Sequence, residues 1–145
     1  MRMAVFPGSF NPFTVGHKLI VDEALKIFDC VVICQFVNSD KDPENIDIWH
    51  IQKHFFGDER IIVTTSNEMV GDFCLKHNIT HIVRGIRNTT DYEYENNIAR
   101  INRELFPSLT TIFIPTDSFV SSSFVRECQK YGKENVSQII TFGTM

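Results

Sequence analysis

Three short stretches hold the residue types that handle phosphate. The first, "PGSFNPFTVGH" (7–17), ends an apolar run, turns through Asn11-Pro12 and restarts on Gly16-His17. Gly8 lets the main chain come close to a ligand, and Pro12 stiffens the turn. A helix starting near Gly16 offers unpaired N–H donors and a partial positive charge. There His17 is placed to donate a hydrogen bond to a phosphate oxygen; on spacing alone it could equally cap its own helix. The second stretch, "RGIRN" (84–88), sets Arg84 and Arg87 around Gly85-Ile86. Guanidinium groups grip phosphate in pairs and stay charged, though solvated surface arginines would carry the same spacing. "DYEYE" (91–95) follows, with carboxylates able to pair with those arginines, accept from a sugar or purine donor, or stand solvated. The third stretch, "VSSSFVRE" (120–127), puts three hydroxyls before an amphipathic run, where one serves as a helix cap and the set suits an anion.

These residues need a scaffold, and the chain alternates strand-like and helix-like segments. Strand patterns fall at "MAVF" (3–6), "CVVICQF" (30–36), "RIIVTT" (60–65), "ITHIVRG" (79–85) and "TTIFIP" (110–115). Helical spacing lies between them, with an apolar face of Ile20, Ala24 and Ile27 over 16–28. A short helix is expected over "IDIWHIQKHFF" and another over "NEMVGDFCLKHN". Thr90-x-x-Glu93 fits a capping box opening a helix that puts Tyr94, Ile98, Ile101 and Leu105 on one face, and the last helix spans 121–132. The spacing predicts an α/β Rossmann-like three-layer sandwich with a five-stranded parallel sheet, in one domain spanning 1–145. In such sheets ligands bind beyond the carboxyl ends of the strands, where all three stretches fall.

Composition narrows the classes. With 145 residues, 43% hydrophobic and 22% charged, the chain has the make-up of a soluble globular domain. A formal charge of −4 argues against general binding to nucleic acid. No apolar run approaches a membrane span, and "MRMAVFPGSF" reaches Pro7-Gly8 before a signal sequence could form. Cys30, Cys34, Cys74 and Cys128 form no C-x-x-C pair and read as buried, reduced thiols. His50 and His54, and His77 and His81, are spaced by four, but no third ligand lies near the first pair and the second straddles a helix end and a strand. Both pairs read as structural or solvent-facing, and no metal site is expected from the protein.

"PGSFNPFTVGH" resembles the (H/T)xGH nucleotidyltransferase signature, and "SSSFVRE" its downstream partner. "IVRGIRNTTDYEYENNIARIN" is similar to the middle signature of the phosphopantetheine adenylyltransferase family, and the likeness runs in order from Arg2 to about Ile140. The resemblance implies transfer of AMP from ATP to 4′-phosphopantetheine, giving dephospho-coenzyme A and pyrophosphate, with Mg²⁺, in a cytoplasmic homohexamer. It implies catalytic roles for His17, Lys41 and Arg87, and an acceptor site of Ser9, Lys41, Val70 and Arg84. For ATP it implies Ser9, Phe10, His17, Gly85, Ile86, Arg87 and Glu95. Asp117, Ser118, Phe119, Val120, Ser121, Ser122 and Ser123 complete that set. The chain departs from the family's pattern at Asn11, where Asp is more usual, and in a shorter segment around Lys41. The alternatives are an adenylyltransferase for another phosphate, such as nicotinamide mononucleotide, and a nucleotide-binding module that has lost catalysis. A plain dinucleotide domain is disfavoured because no G-x-G-x-x-G follows the first strand.

Overall fold

The computed structural model describes residues 1–37, 47–116 and 122–133, the side chains of 122–125 excepted. Five strands, β1 (Met3–Gly8), β2 (Cys30–Phe36), β3 (Ile61–Ser66), β4 (His81–Ile86) and β5 (Thr110–Pro115), form one sheet in the order β3-β2-β1-β4-β5. Every pairing is parallel. Between the strands run α1 (Val15–Ala24), α2 (Trp49–Gln52, continued by a 3₁₀ turn over Lys53–Phe55), α3 (Val70–Lys76) and α4 (Thr89–Leu105). A further helix, α5 (Ser122–Lys130), follows β5.

Side-chain alternation along the strands splits the interior in two. Ala4, Phe6, Val31, Ile33 and Val83 point to the face covered by Ile20, Val21 and Ala24 of α1 and Ile51 of α2. Val5, Val32, Cys34 and Ile82 point to the opposite face, against Phe73 and Cys74 of α3, with Phe106 just beyond α4 packed alongside. The run Val31–Cys34 is buried throughout, as a strand covered on both faces requires. Burial pushes the Cys34 thiol up to about 12 and the Cys74 thiol up to about 11, so both stay protonated.

Sequence and structure part at two boundaries and over one helix face. β1 continues through Pro7 and Gly8, which stay in register with Cys34 and Gln35 of β2. On its other side β1 pairs with β4 only at Ala4 and Val5. Pro7, which has no N–H to give, thus sits where the sheet has already opened. α4 is capped by Asn88, whose Oδ1 accepts from the Asp91 N–H at 2.9 Å, two residues before the expected Thr90. Asn caps a helix as well as Ser or Thr does. The stripe Tyr94, Ile98, Ile101 and Leu105 does share one face of α4, but that face is exposed.

Candidate active site

The crevice lies where the chain reverses its direction of travel across the sheet, between β1 and β4. Because those strands separate after Val5, their carboxyl ends splay and leave a cavity of about 550 Å³. Ser9, Phe10, Asn11 and His17 line one side of it, and Arg84, Gly85 and Arg87 the other. Gly85 allows close packing there: a Cβ would come within 2.4 Å of the Ile20 Cδ1, so Ile20 would have to move.

His17 is fixed by its own helix. Thr14 is the N-cap of α1, its hydroxyl accepting from the His17 N–H at 3.4 Å. In return the Thr14 N–H donates to His17 Nδ1 at 2.9 Å, so imidazole stands where a capping box usually has Glu or Gln. Of the two alternatives for His17, the helix cap is thus seen directly, and it leaves Nε2 free of the cap. Nδ1 serves the cap as an acceptor, which assigns the ring proton of the neutral imidazole to Nε2. The ring packs among Phe6, Phe10 and Phe13, the latter two at centroid distances of 5.2 and 5.3 Å. Burial holds the His17 pKa below its ordinary value, and the charges of Arg84 and then Arg87 push it the same way. The neutral ring is thus the resting form, with an N–H donor and no charge to attract a counter-ion.

Arg84 fills the gap left by the parted strands. Its Nε and Nη2 donate to the Glu95 carboxylate at 3.0 and 2.7 Å, and its Nη1 donates to the Pro7 carbonyl. Three of its five N–H groups are thereby engaged, and two remain for a ligand. Glu95 is buried; α4 delivers it one turn beyond Asp91. Asp91 accepts from Arg87 Nε at 3.1 Å, while the Arg87 side chain stays largely in solvent. Two carboxylates of "DYEYE", Asp91 and Glu95, therefore orient the arginines.

A second cavity, of about 260 Å³, adjoins the first and shares Pro7, Gly8, Ser9, Arg84 and Glu95 with it. Val70, Phe36, Ile82, Tyr94, Ile98 and Ala99 give it an apolar wall. The structure thus gathers Ser9, Phe10, His17, Val70, Arg84, Gly85, Arg87 and Glu95 around two joined spaces. Ile86 ends β4 beside them and accepts from the Thr116 N–H at 3.0 Å. Lys41 and 117–121 lie outside the described residues, and Ser122 and Ser123 are described only as the start of α5. Thr14 escaped sequence reasoning, although a Thr three residues before the histidine is a cap signal.

Among the described residues no group of three or more His, Cys, Asp or Glu side chains is placed to hold a metal ion. Both carboxylates at the cavity are taken by arginines. The donor set on hand does not fit a protein-held metal.

A sheet opened at its reversal point, with an imidazole and two arginines on one cavity, is an α/β arrangement whose chemistry suits phosphate groups. The family model described as cytidylyltransferase-like matches residues 5–128, which take in every element from β1 into α5. A phosphopantetheine adenylyltransferase of Lactobacillus gasseri is 37% identical over 149 residues, covering 97% of this chain and 88% of its own length. Another, of Phocaeicola vulgatus, is 40% identical over 140 residues and 92% of each chain. The chain belongs to the phosphopantetheine adenylyltransferase family. In fold it is also similar to a solved structure from Vibrio parahaemolyticus provisionally assigned as a nicotinate-nucleotide adenylyltransferase. That match has a TM-score of 0.56 at 18% identity over 93% of this chain and 91% of the other.

Proposed function

We propose that this chain transfers AMP from ATP to 4′-phosphopantetheine, giving dephospho-coenzyme A and pyrophosphate. The observation that carries the reading is the pair of joined cavities, one polar and one apolar, with Ser9, Arg84 and Glu95 in their common wall. The polar space suits a nucleotide and its phosphates. The apolar space beside Val70 suits an uncharged arm whose phosphate ends at Arg84.

An oxygen of the acceptor phosphate attacks the α-phosphorus of ATP, and the bond from that phosphorus to the bridging oxygen of the β-phosphate breaks as pyrophosphate leaves. The nucleophile is already an anion, so no general base is needed. The protein has two anions to bring into line and developing charge to disperse. His17 Nε2–H follows the α-phosphate as negative charge builds, while Arg84 and Arg87 orient the partners. The resemblance adds Lys41, the 117–121 segment, Ser122 and Ser123 to the phosphate and adenine contacts. Mg²⁺ belongs to this reading as part of the substrate, carried on the triphosphate oxygens.

Self-association, a hexamer on the resemblance, is supported by the exposed Ile101 and Leu105 of α4, which line neither cavity, and sedimentation velocity tests it. A cytoplasmic site of action belongs to the same proposal; among the described residues no helix is long and apolar enough to cross a membrane. The deciding experiment is pyrophosphate release from ATP with a panel of acceptors. Turnover with 4′-phosphopantetheine and none with nicotinamide mononucleotide is expected. The reverse preference, or ATP binding without turnover on any acceptor, would overturn the reading.

A further inference from the structure

The carbonyls of Ser9 and Phe10, the two residues at the apex of the first motif, are both held from behind the cavity. Gln35, near the end of β2, donates from Nε2 to the Ser9 carbonyl at 2.9 Å. His50, on α2, sets its Nε2 3.0 Å from the Phe10 carbonyl, and its Nδ1 meets the Asp47 carbonyl. Both ring nitrogens thus face main-chain carbonyl oxygens, which hold the ring between α2 and the turn. Neither Gln35 nor His50 lines the cavity.

Peptide planarity gives these contacts a consequence on the other side. In a trans peptide the C=O and the next N–H point in opposite directions, and the 9–10 and 10–11 peptides are both trans. Drawing the two carbonyls toward Gln35 and His50 turns the N–H groups of Phe10 and Asn11 the other way. Both residues line the cavity, and neither N–H finds an acceptor among the described residues. Phe10 also sits at φ +46°, a left-handed conformation that a side chain of its size keeps only when its surroundings impose it.

Gln35 is costly as a purely structural residue. Its Oε1 is buried with no hydrogen-bond partner among the described residues, a penalty that an apolar side chain would avoid. A polar group kept at a loss, in a strand otherwise apolar on that face, points to a task outside the core.

We propose that Gln35 and His50 are positioning residues that clamp the Ser9–Phe10 turn and thereby aim the Phe10 and Asn11 N–H groups at the phosphates of the nucleotide. This rests on reading the cavity as the site of AMP transfer. Gln35→Leu removes the donor together with the orphaned acceptor at similar volume. Its melting temperature is expected to be unchanged or raised. Its Kd for ATP, by calorimetry on the full chain without acceptor, should weaken about fivefold or more, and kcat should fall about tenfold. KM for 4′-phosphopantetheine should stay within about threefold, since the clamp acts on the nucleotide side. His50→Phe should repeat the loss, and His50→Gln, which places an amide N–H where the ring had one, should recover most of it. ATP affinity and kcat of Gln35→Leu and His50→Phe within about twofold of wild type would overturn the proposal, as would a loss that follows a fall in melting temperature. A wild-type chain inactive toward phosphopantetheine would sink the AMP-transfer reading separately, and the ATP affinities would still decide the clamp. Should Gln35→Leu not fold, the His50 pair decides alone.

Discussion

Glu95→Gln should unfold this protein several degrees early. The carboxylate takes two hydrogen bonds from Arg84, at 3.0 and 2.7 Å, and its side chain is only 9% exposed against 32% for that of Arg84. Gln keeps one acceptor and the shape but leaves a partly buried cation without its counter-charge. Breaking a fully buried pair costs about 3–5 kcal/mol; solvent reaching Arg84 reduces that to about 2–3 kcal/mol here. For a chain of this size, roughly 2–4 °C of melting temperature per kcal/mol gives a fall of about 4–12 °C. The assay is thermal unfolding by circular dichroism without ligands, because bound nucleotide would mask the loss. Arg84→Met and the double variant complete the cycle. Met in place of the cation removes the reason for the penalty, so the double variant should be more stable than Glu95→Gln alone. A Gln variant melting within about 1 °C of wild type, or strictly additive effects, would refute the account of Glu95 as the counter-charge of Arg84.

Three further outcomes follow from the geometry of the site. His17→Ala should lower kcat about 100–1000-fold with little change in KM, since the Nε2 donor works on charge that appears only in the transition state; steady-state kinetics with both substrates checks it. Because the His17 pKa is held below the usual 6.5, kcat/KM should be flat through neutral pH and fall only on the acid side of that value. In that acid range the unfolded chain binds the proton more readily than the folded one, so this residue's contribution to stability is also lost as pH falls. Gly8→Ala should destabilise the fold by about 1–3 kcal/mol in urea melts and reduce turnover, because the new Cβ would lie 2.8 Å from the Phe10 ring.

Local rules made most of the scaffold legible. The β-branched run at 30–36 and the segment at 110–115 occupy the bounds their patterns predict. β1 was harder, because Pro7 and Gly8 look like a strand stop until the parting of β1 from β4 gives a proline somewhere to sit. The α4 stripe was visible as a helical face, but spacing does not say which way an apolar face turns, and this one faces out. In the candidate site, motif residues were readable because their types are unusual at strand ends. Gln35 and His50 were not, since their partners lie 26 and 40 residues away and only the fold brings them there. The one clue to Gln35 was an amide inside a strand otherwise made for a dry interior.

The end of β1 borders two chambers. Phe6 looks toward α1 and faces only the larger cavity, while Pro7 and Ser9 border both and the smaller one opens beneath α4. On the proposed reading, opposite sides of a single sheet serve the two substrates, with Arg84 as the post between two rooms. Remodelling the wall of Val70, Ile98 and Ala99 would let such a scaffold take up a new acceptor while the apparatus that handles the nucleotide stays as it is.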